Sequence, residues 1–212
     1  MAEIIADVEV PGTELVREAT ELVRNVASPV VFHHCRRVYF WGLMRARRRD
    51  MQHDAELLYV GALFHDLGLT DRYARTDQRF EIDGADEARR FLLERGTAED
   101  RARLVWEAIA LHTTPEIPWH MAPEIALLTA GVEVDVLGIG YDEIPEAQRE
   151  AVVALHPRSD FKNGILREFT HSVAPRPQTA FCNFKADILE RFTPDFVRAD
   201  FVDAVMESPW AE

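Results

Sequence analysis

The sequence has little cysteine and almost no lysine. Its two cysteines, Cys35 and Cys182, show neither a Cys-x-x-Cys spacing nor a disulfide pattern, so we expect a protein of a reducing compartment. Lys162 and Lys185 are the only lysines, because the other basic residues are arginines. No function follows from that bias.

Long hydrophobic segments are missing as well. The longest apolar run, at 57–64, has eight residues, whereas a membrane-spanning helix needs about 20. The first residues, MAEIIADVEVPG, lack the basic start and the long apolar stretch of a signal peptide. We therefore expect a cytoplasmic protein that has no membrane partner.

Positive charge is scarce. The chain has 24 Lys and Arg residues against 37 Asp and Glu residues, and its formal net charge is −13. Neutralising a phosphate backbone requires a positive surface, so the composition argues against a nucleic-acid partner. It is compatible with a small-molecule substrate, since even an anionic one needs only a local cationic pocket. A homo-oligomer stays open.

Alternating strands and helices, internal repeats and low-complexity tracts are all absent, and helical periodicity extends over nearly the whole chain. Ser28 is placed to cap one helix, Asp54 to cap another, and Gly68 to end that second helix. The expected helices cover residues 13–27, 29–47, 55–67, 84–95, 98–112, 124–137, 146–155, 160–173, 177–191 and 197–206. Since 212 residues suffice for one sizeable core, we predict an all-α, single-domain helical bundle.

His65 and Asp66 interrupt the most apolar segment, GALFHDLGL. Neighbouring helix residues point about 100° apart, but this helix is apolar nearly all round, so both side chains should be buried. A buried carboxylate without a partner costs several kcal/mol and is normally paired or bound to a metal. A plain histidine–aspartate hydrogen bond in the core is the alternative.

Two further polar residues lie on apolar helix faces. His34 has apolar residues four positions before and after it and should point inward, whereas the adjacent His33 should lie at the edge. Asp135 also lies on an apolar face, while Glu133 suits the margin. A satisfied core histidine and a buried arginine–aspartate pair are the alternative explanations.

One metal site would explain these residues together. His34, His65, Asp66 and Asp135 supply two imidazoles and two carboxylates from three helices. Mixed nitrogen and oxygen ligands suit divalent Zn, Mn, Fe, Co or Ni, and bundle cores commonly hold metals between facing helices. We therefore predict one divalent transition metal, with zinc as the first choice.

The order of the motifs resembles a known family. HHCRRVYFWG, ALFHDLGLT, RFEIDGADEARRFLLERG, AIALHT and GVEVDVLG resemble, in this order, the motifs of the HD superfamily of metal-dependent hydrolases and of its cyanamide hydratase-like branch. The resemblance implies an HD metal-binding core at 28–138. Residues 1–27 would form an N-terminal helix packed on that core, and 139–212 would form C-terminal helices that complete the same domain. The implied metal ligands are His34, His65, Asp66 and Asp135.

The sequence departs from the family pattern in places. The first motif usually has asparagine at the position of His33 and serine at the position of Cys35. Members with two metals use further histidines, and here Asp83 stands near the position of one of them. The resemblance therefore favours a single metal, although His112 could match another of those histidines.

The predicted catalytic residues are Asp66, Glu81, Asp83 and His112. Glu81 and Asp83 lie in a motif that resembles the family's, and one of them would transfer a proton or support a ligand. Capping of the helix from 84 is the alternative, and it is the stronger one for Asp83. His112 is either a proton donor that lines the pocket or an ordinary core residue.

The cyanamide hydratase-like branch implies that a metal-bound hydroxide attacks a nitrile carbon and turns cyanamide into urea. The wider superfamily implies the alternative, a phosphohydrolase for a nucleotide or another phosphomonoester. Arg37 and His33, which lie within one turn of His34, are predicted to contact the substrate, although exposure to solvent is commoner for arginine. A metal-stabilised binding module without catalysis is the least favoured interpretation.

Overall fold

The computed structural model describes residues 3–210, which form a helical bundle with one small antiparallel sheet. The prediction of an all-α fold is confirmed. The two strands are β1 (Ile4–Ile5) and β2 (Val8–Glu9). The ten helices are α1 (Glu14–Val26), α2 (Pro29–Arg48), α3 (Ala55–Phe64), α4 (Phe80–Glu94), α5 (Glu99–Leu111), α6 (Pro123–Val132), α7 (Glu146–Leu155), α8 (Phe161–Val173), α9 (Lys185–Phe192) and α10 (Phe201–Met206).

Side-chain caps set the starts of the first helices. The hydroxyl of Ser28 accepts a hydrogen bond from the amide of Val31, and Pro29 occupies the first turn of α2. The carboxylate of Asp54 accepts from two amides at the start of α3. Both caps were predicted from the sequence and are confirmed.

The end of α3 and the start of α4 differ from the prediction. Helix α3 stops at Phe64, so His65 and Asp66 lie at its terminus, and Gly68 belongs to the short 3₁₀ turn at Leu67–Leu69. Gly68 is required for packing, because a Cβ there would lie 2.1 Å from the carbonyl oxygen of Phe80. Helix α4 begins at Phe80 and not at residue 84.

Three later segments also differ, and one of them is the helix expected at 197–206, which begins only at Phe201. Helix α6 gives way to a π-helix at Glu133–Leu137, which ends at Gly138 in the left-handed conformation. The single helix expected at 177–191 is divided into a 3₁₀ turn at Pro177–Ala180 and helix α9. π-helical turns are frequent at functional sites.

The core lies between α2, α3, α4, α5 and α6, which pack on one another. Helices α2 and α6 approach so closely that a Cβ on Gly131 would lie 2.2 Å from the carbonyl oxygen of Val38. Apolar side chains from the N-terminal strands, from α1 and from α8 join the same cluster. The α2–α6 crossing brings His34 to the centre of this core.

None of the described helices combines the length and the apolar character that crossing a membrane requires.

Candidate metal centre

Three side-chain atoms from α2 and the end of α3 converge inside the core. His34 Nε2 lies 3.1 Å from His65 Nε2, and each of these nitrogens lies 3.4 Å from Asp66 Oδ2. All three residues are buried. An ion bound tetrahedrally at about 2.0–2.1 Å separates its ligand atoms by about 3.3–3.4 Å. The spacing therefore fits a small divalent metal.

The end of α3 explains how two consecutive residues face one point. His65 keeps helical dihedral angles, but Asp66 has φ −103° and ψ 11°, which are no longer those of an α-helix. In a regular helix the two side chains would diverge by about 100°. Because the helix ends between them, both reach the same position.

Hydrogen bonds select the nitrogen that each histidine offers. His65 Nδ1 lies 2.8 Å from the carbonyl oxygen of Ala62, to which it donates. His34 Nδ1 lies 2.7 Å from a carboxylate oxygen of Asp135 and donates to it. Such bonds assign the Nδ1–H tautomer. The Nε2 atom of both rings is therefore the one left for a metal.

Asp66 is the residue that most requires a cation. Neither of its carboxylate oxygens has a hydrogen-bond partner within residues 3–210, although its side chain is only 1% exposed. Burial would raise the pKa of Asp66, but the charge of the neighbouring His65 outweighs it and holds the pKa well below its usual range. An ionised, buried and unpaired carboxylate is costly unless a positive ion compensates it.

The histidine pKa values respond to the same carboxylate. Burial lowers the pKa of His34. Burial opposes a charge on His65 too, but there Asp66 outweighs it, and the pKa of His65 lies well above its ordinary value. The centre thus attracts positive charge, and a divalent ion would take the place of the proton.

The structure brings His112, which follows α5, to the same place. Its Nδ1 lies 2.6 Å from the carbonyl oxygen of Ile109 and donates to it, and its Nε2 lies 3.7 Å from Asp66 Oδ1. His112 is buried and its ring packs edge-on against that of His65. The Nε2 lone pair is therefore presented to the centre.

A cavity of about 360 Å³ adjoins these residues and includes His34, His65, Asp66 and His112 in its wall. Much of the remaining wall is apolar and comes from Val132, Val136, Leu137, Phe169 and Phe184. Within the described part of the chain, no lysine or arginine lines it. Glu133 also lines it, so the described wall offers no lysine or arginine cation to an anionic molecule.

Asp135 has a different position from the one expected of a ligand. Its oxygens accept hydrogen bonds from Arg37 at 2.8 and 2.9 Å, from Trp41 at 2.8 Å and from Arg158 at 2.6 Å, besides the bond from His34. Burial would raise the pKa of Asp135, but His34 and Arg37 lower it strongly. The arginine pair named as an alternative is present, and direct coordination by Asp135 stays a prediction.

Glu133 and Asp135 both belong to the π-helix, but their side chains lie in different places. Glu133 is half-buried and lines the cavity, as the margin position predicted for it suggests, while Asp135 is buried on the far side of His34. In the present arrangement Asp135 orients the His34 ring, and such outer partners commonly tune metal ligands.

The carboxylate oxygens of Glu81 already accept several hydrogen bonds. Both of its oxygens accept from Lys185 Nζ, at 2.6 and 2.9 Å, and it also accepts from Arg79 at 2.9 Å and Thr113 at 2.7 Å. Burial would raise the pKa of Glu81, but Lys185 and Arg79 lower it to about 2. The geometry does not favour its predicted role in proton transfer, although Thr113 connects it to the cavity wall.

Asp83 connects α4 to the last third of the chain. It pairs with the buried Arg176 and accepts from Gln78 and from the amide of Arg75. The alternative of a helix cap is wrong, because α4 starts three residues earlier, with Arg79 at its N-cap. Asp83 does not line the cavity, so its catalytic role is not supported by its position.

The two residues predicted to contact substrate also lie elsewhere. Arg37 is fully buried, where it binds Asp135 and the carbonyl oxygens of His156 and Pro157. The His33 ring contacts that of His156 at the bundle edge, in keeping with the edge position expected for it. Neither residue lines the cavity, so the geometry does not favour substrate binding by either.

Lys185 and Thr129 are among the polar residues at or near the cavity that sequence reasoning missed. Lys185 is one of only two lysines, and its position in the apolar run FKADIL was the available signal for burial. Thr129 lines the cavity from α6, and its buried hydroxyl has no hydrogen-bond partner within the described residues. A threonine in the apolar segment IALLTAGV gives only a weak signal.

The comparison with protein families agrees with this geometry. The HD domain model matches residues 31–189, well over half of the chain, and the match extends past residue 138, where the recognised motifs end. The protein therefore belongs to the HD domain family, whose members are mostly metal-dependent hydrolases. No individually curated protein matches the chain.

Proposed function

We propose that this protein is a metal-dependent HD enzyme that adds water to an uncharged nitrile group, as in the conversion of cyanamide to urea. The observation that carries the proposal is the unpaired carboxylate of Asp66 beside two histidine Nε2 atoms at metal-ligand spacing. Two imidazoles and a carboxylate, with no cysteine, are typical of catalytic rather than structural zinc sites. Zinc is the first choice, with Fe, Mn, Co and Ni as alternatives.

The cavity supports the choice of substrate. A phosphomonoester carries negative charge that a protein normally meets with arginine or lysine, and none lines the cavity in the described residues. A nitrile is neutral and needs no such partner. We therefore prefer hydration to the alternative, a phosphohydrolase acting on nucleotides.

In the reaction, the water oxygen forms a bond to the nitrile carbon and both water protons end on the nitrile nitrogen. A divalent ion bound at the centre would polarise the nitrile and lower the pKa of water there. His34 and His65 present fixed Nε2 atoms, which removes the cost of orienting them. Because His112 Nδ1 donates its proton to the carbonyl oxygen of Ile109, His112 Nε2 carries a free lone pair. Nε2 is therefore placed to take one proton from the water and to return it to the nitrile nitrogen.

The test combines metal analysis with two assays. Protein purified without added metal would be analysed for bound ions and assayed on cyanamide and on nucleoside monophosphates, for the wild type and for Asp66→Asn. About one ion per chain with formation of urea, both lost in the variant, is the expected result. Release of phosphate instead of urea would show that the protein is a phosphohydrolase. Absence of bound metal would contradict the assignment of a metal centre.

A matched control separates chemistry from folding. Asp71→Asn changes an exposed acid whose only described partner is His171, so metal content and turnover should stay at the wild-type level. His112→Gln should keep the ion and lose most of the turnover, since Gln offers no comparable proton acceptor.

A further inference from the structure

The cavity is larger than the simplest nitrile requires. Its volume is about 360 Å³, within the range of about 300–1,000 Å³ found for small-molecule sites. Cyanamide has three heavy atoms, so it would leave most of a cavity of this size unfilled. Most of the cavity would then contact nothing.

The additional space has apolar walls. Phe169 of α8 and Phe184 before α9 contribute aromatic surface, and Val132 and Val136 contribute aliphatic surface. The two rings pack edge-on, with centroids 5.4 Å apart. These side chains offer no hydrogen bonds, so they favour the burial of a hydrocarbon group.

The outer part of this wall reaches the protein surface. Leu137 and Ile139 line the cavity and are nevertheless 69% and 50% exposed. Leu137 precedes Gly138, and Ile139 lies between Gly138 and Gly140. Both glycines have left-handed backbone. Exposed apolar side chains at the rim of a concave site are typical of ligand contacts.

We propose that the substrate is an uncharged nitrile or cyanamide that carries an apolar substituent, and that Leu137 is a specificity-determining residue for that substituent. The polar group lies at the metal centre, and the substituent extends along Val136 towards Leu137. The substrate class rests on the proposed function, because the nitrile is taken from it. The apolar substituent rests on the cavity alone.

Binding of product analogues tests the inference without turnover. Urea, N-methylurea, N-ethylurea and N-butylurea would be titrated into the full chain supplied with zinc, and heat would be measured by calorimetry. Burial of a methylene strengthens binding roughly fourfold, so affinity should rise by about that factor for each added carbon. Equal affinities for all four ureas, or binding of none, would overturn the inference.

Leu137→Ser should reduce the gain for each added carbon, so that it lowers the affinity for N-butylurea by a larger factor than the affinity for urea. The matched control is Leu155→Ser, which replaces a leucine of similar exposure, 59%, on α7, outside the cavity. The control should behave as the wild type. If Leu137→Ser changes only the oligomeric state, seen by sedimentation, the rim is a protein interface and the inference is wrong.

Turnover then separates the two proposals. N-butylcyanamide should be hydrated with a lower KM than cyanamide. Binding that grows with chain length, without hydration of any nitrile, would refute the proposed function and retain the inference. Hydration of cyanamide without binding of N-butylurea would refute the inference and retain the function.

Discussion

The end of α3 and the start of α4 both bury carboxylates, but they satisfy them differently. At the start of α4, Glu81 is paired with Lys185 and Asp83 with Arg176. At the end of α3, Asp66 has no lysine or arginine partner among the described residues, and its neighbours are histidines: His34 and His65 at 3.4 Å and His112 at 3.7 Å. Burial of an acid is therefore no sign of a metal site by itself. The sign is the absence of a lysine or arginine that pairs with the buried carboxylate.

The largest expected effect of a single substitution is on metal content. Asp66→Asn should reduce bound metal from about one ion per chain to nearly none, because it removes an anionic ligand whose oxygens have no other partner in the described residues. The metal-free variant should be less stable than the metal-free wild type, because His65 holds the pKa of Asp66 below its ordinary value and this favourable pairing is lost. Elemental analysis and urea unfolding in chelator would measure both quantities, and a variant that still bound its ion would contradict the assignment.

The opposite result is expected at the start of α4. Asp83→Asn leaves Arg176 buried without its charge partner, which typically costs about 3–5 kcal/mol of unfolding free energy. Metal content should stay near one ion per chain, because Asp83 lies outside the centre. Chemical unfolding and elemental analysis of the same sample provide the comparison. Loss of metal from a folded Asp83→Asn variant would give this residue a role that its position does not suggest.

Glu81 should make stability depend on acid pH. Its pKa is about 2 in the folded protein, against 4.5 as an ordinary value. Its contribution is therefore fully present above about pH 4.5 and is lost as the pH falls towards 2. The difference corresponds to about 3 kcal/mol.

Unfolding curves between pH 2 and 6 would test this dependence. Glu81→Gln should flatten that part of the profile, and it should lower stability near neutral pH because it isolates the Lys185 charge. The double variant Glu81→Gln with Lys185→Met should recover part of the loss. An unchanged acid profile in Glu81→Gln would show that other carboxylates dominate it.

The smallest effect is expected at Asp135. If Asp135 orients His34 through its Nδ1, Asp135→Asn should weaken metal binding by about 10–100-fold, as is usual for outer partners of metal ligands. If Asp135 is itself a ligand, the loss should approach that of Asp66→Asn. Zinc affinity measured by competition with a chromogenic chelator distinguishes the two, and Arg37→Met controls for the broken ion pair.

Local patterns were sufficient for most of the fold. The caps at Ser28 and Asp54 and the apolar stripes placed α1, α2, α5, α7 and α8 within one or two residues, because caps and periodicity act over one or two turns. The misplaced boundaries, at Gly68 and at the start of α4, depend on how these segments pack together. Gly68 resembles a helix end in sequence, but its role is close contact with Phe80.

The site was predictable in part for the same reason. His34, His65 and Asp66 stand out because charged groups on apolar faces are rare, and the structure brings these three together. Glu81, Asp83 and Arg37 also looked functional, but each has an ion-pair partner about 100 residues away in the chain. No local pattern can show that partner.

The sequence by itself therefore determined which residues enter the core, since hydrophobic periodicity and capping are encoded within a few residues. Only the tertiary structure decided which buried acids are neutralised. That depends on whether a cation from a distant segment, such as Lys185 or Arg176, reaches the carboxylate when the helices pack. Within the described residues no such cation reaches Asp66 and neither of its oxygens has a hydrogen-bond partner, which is the physical reason for placing the metal there.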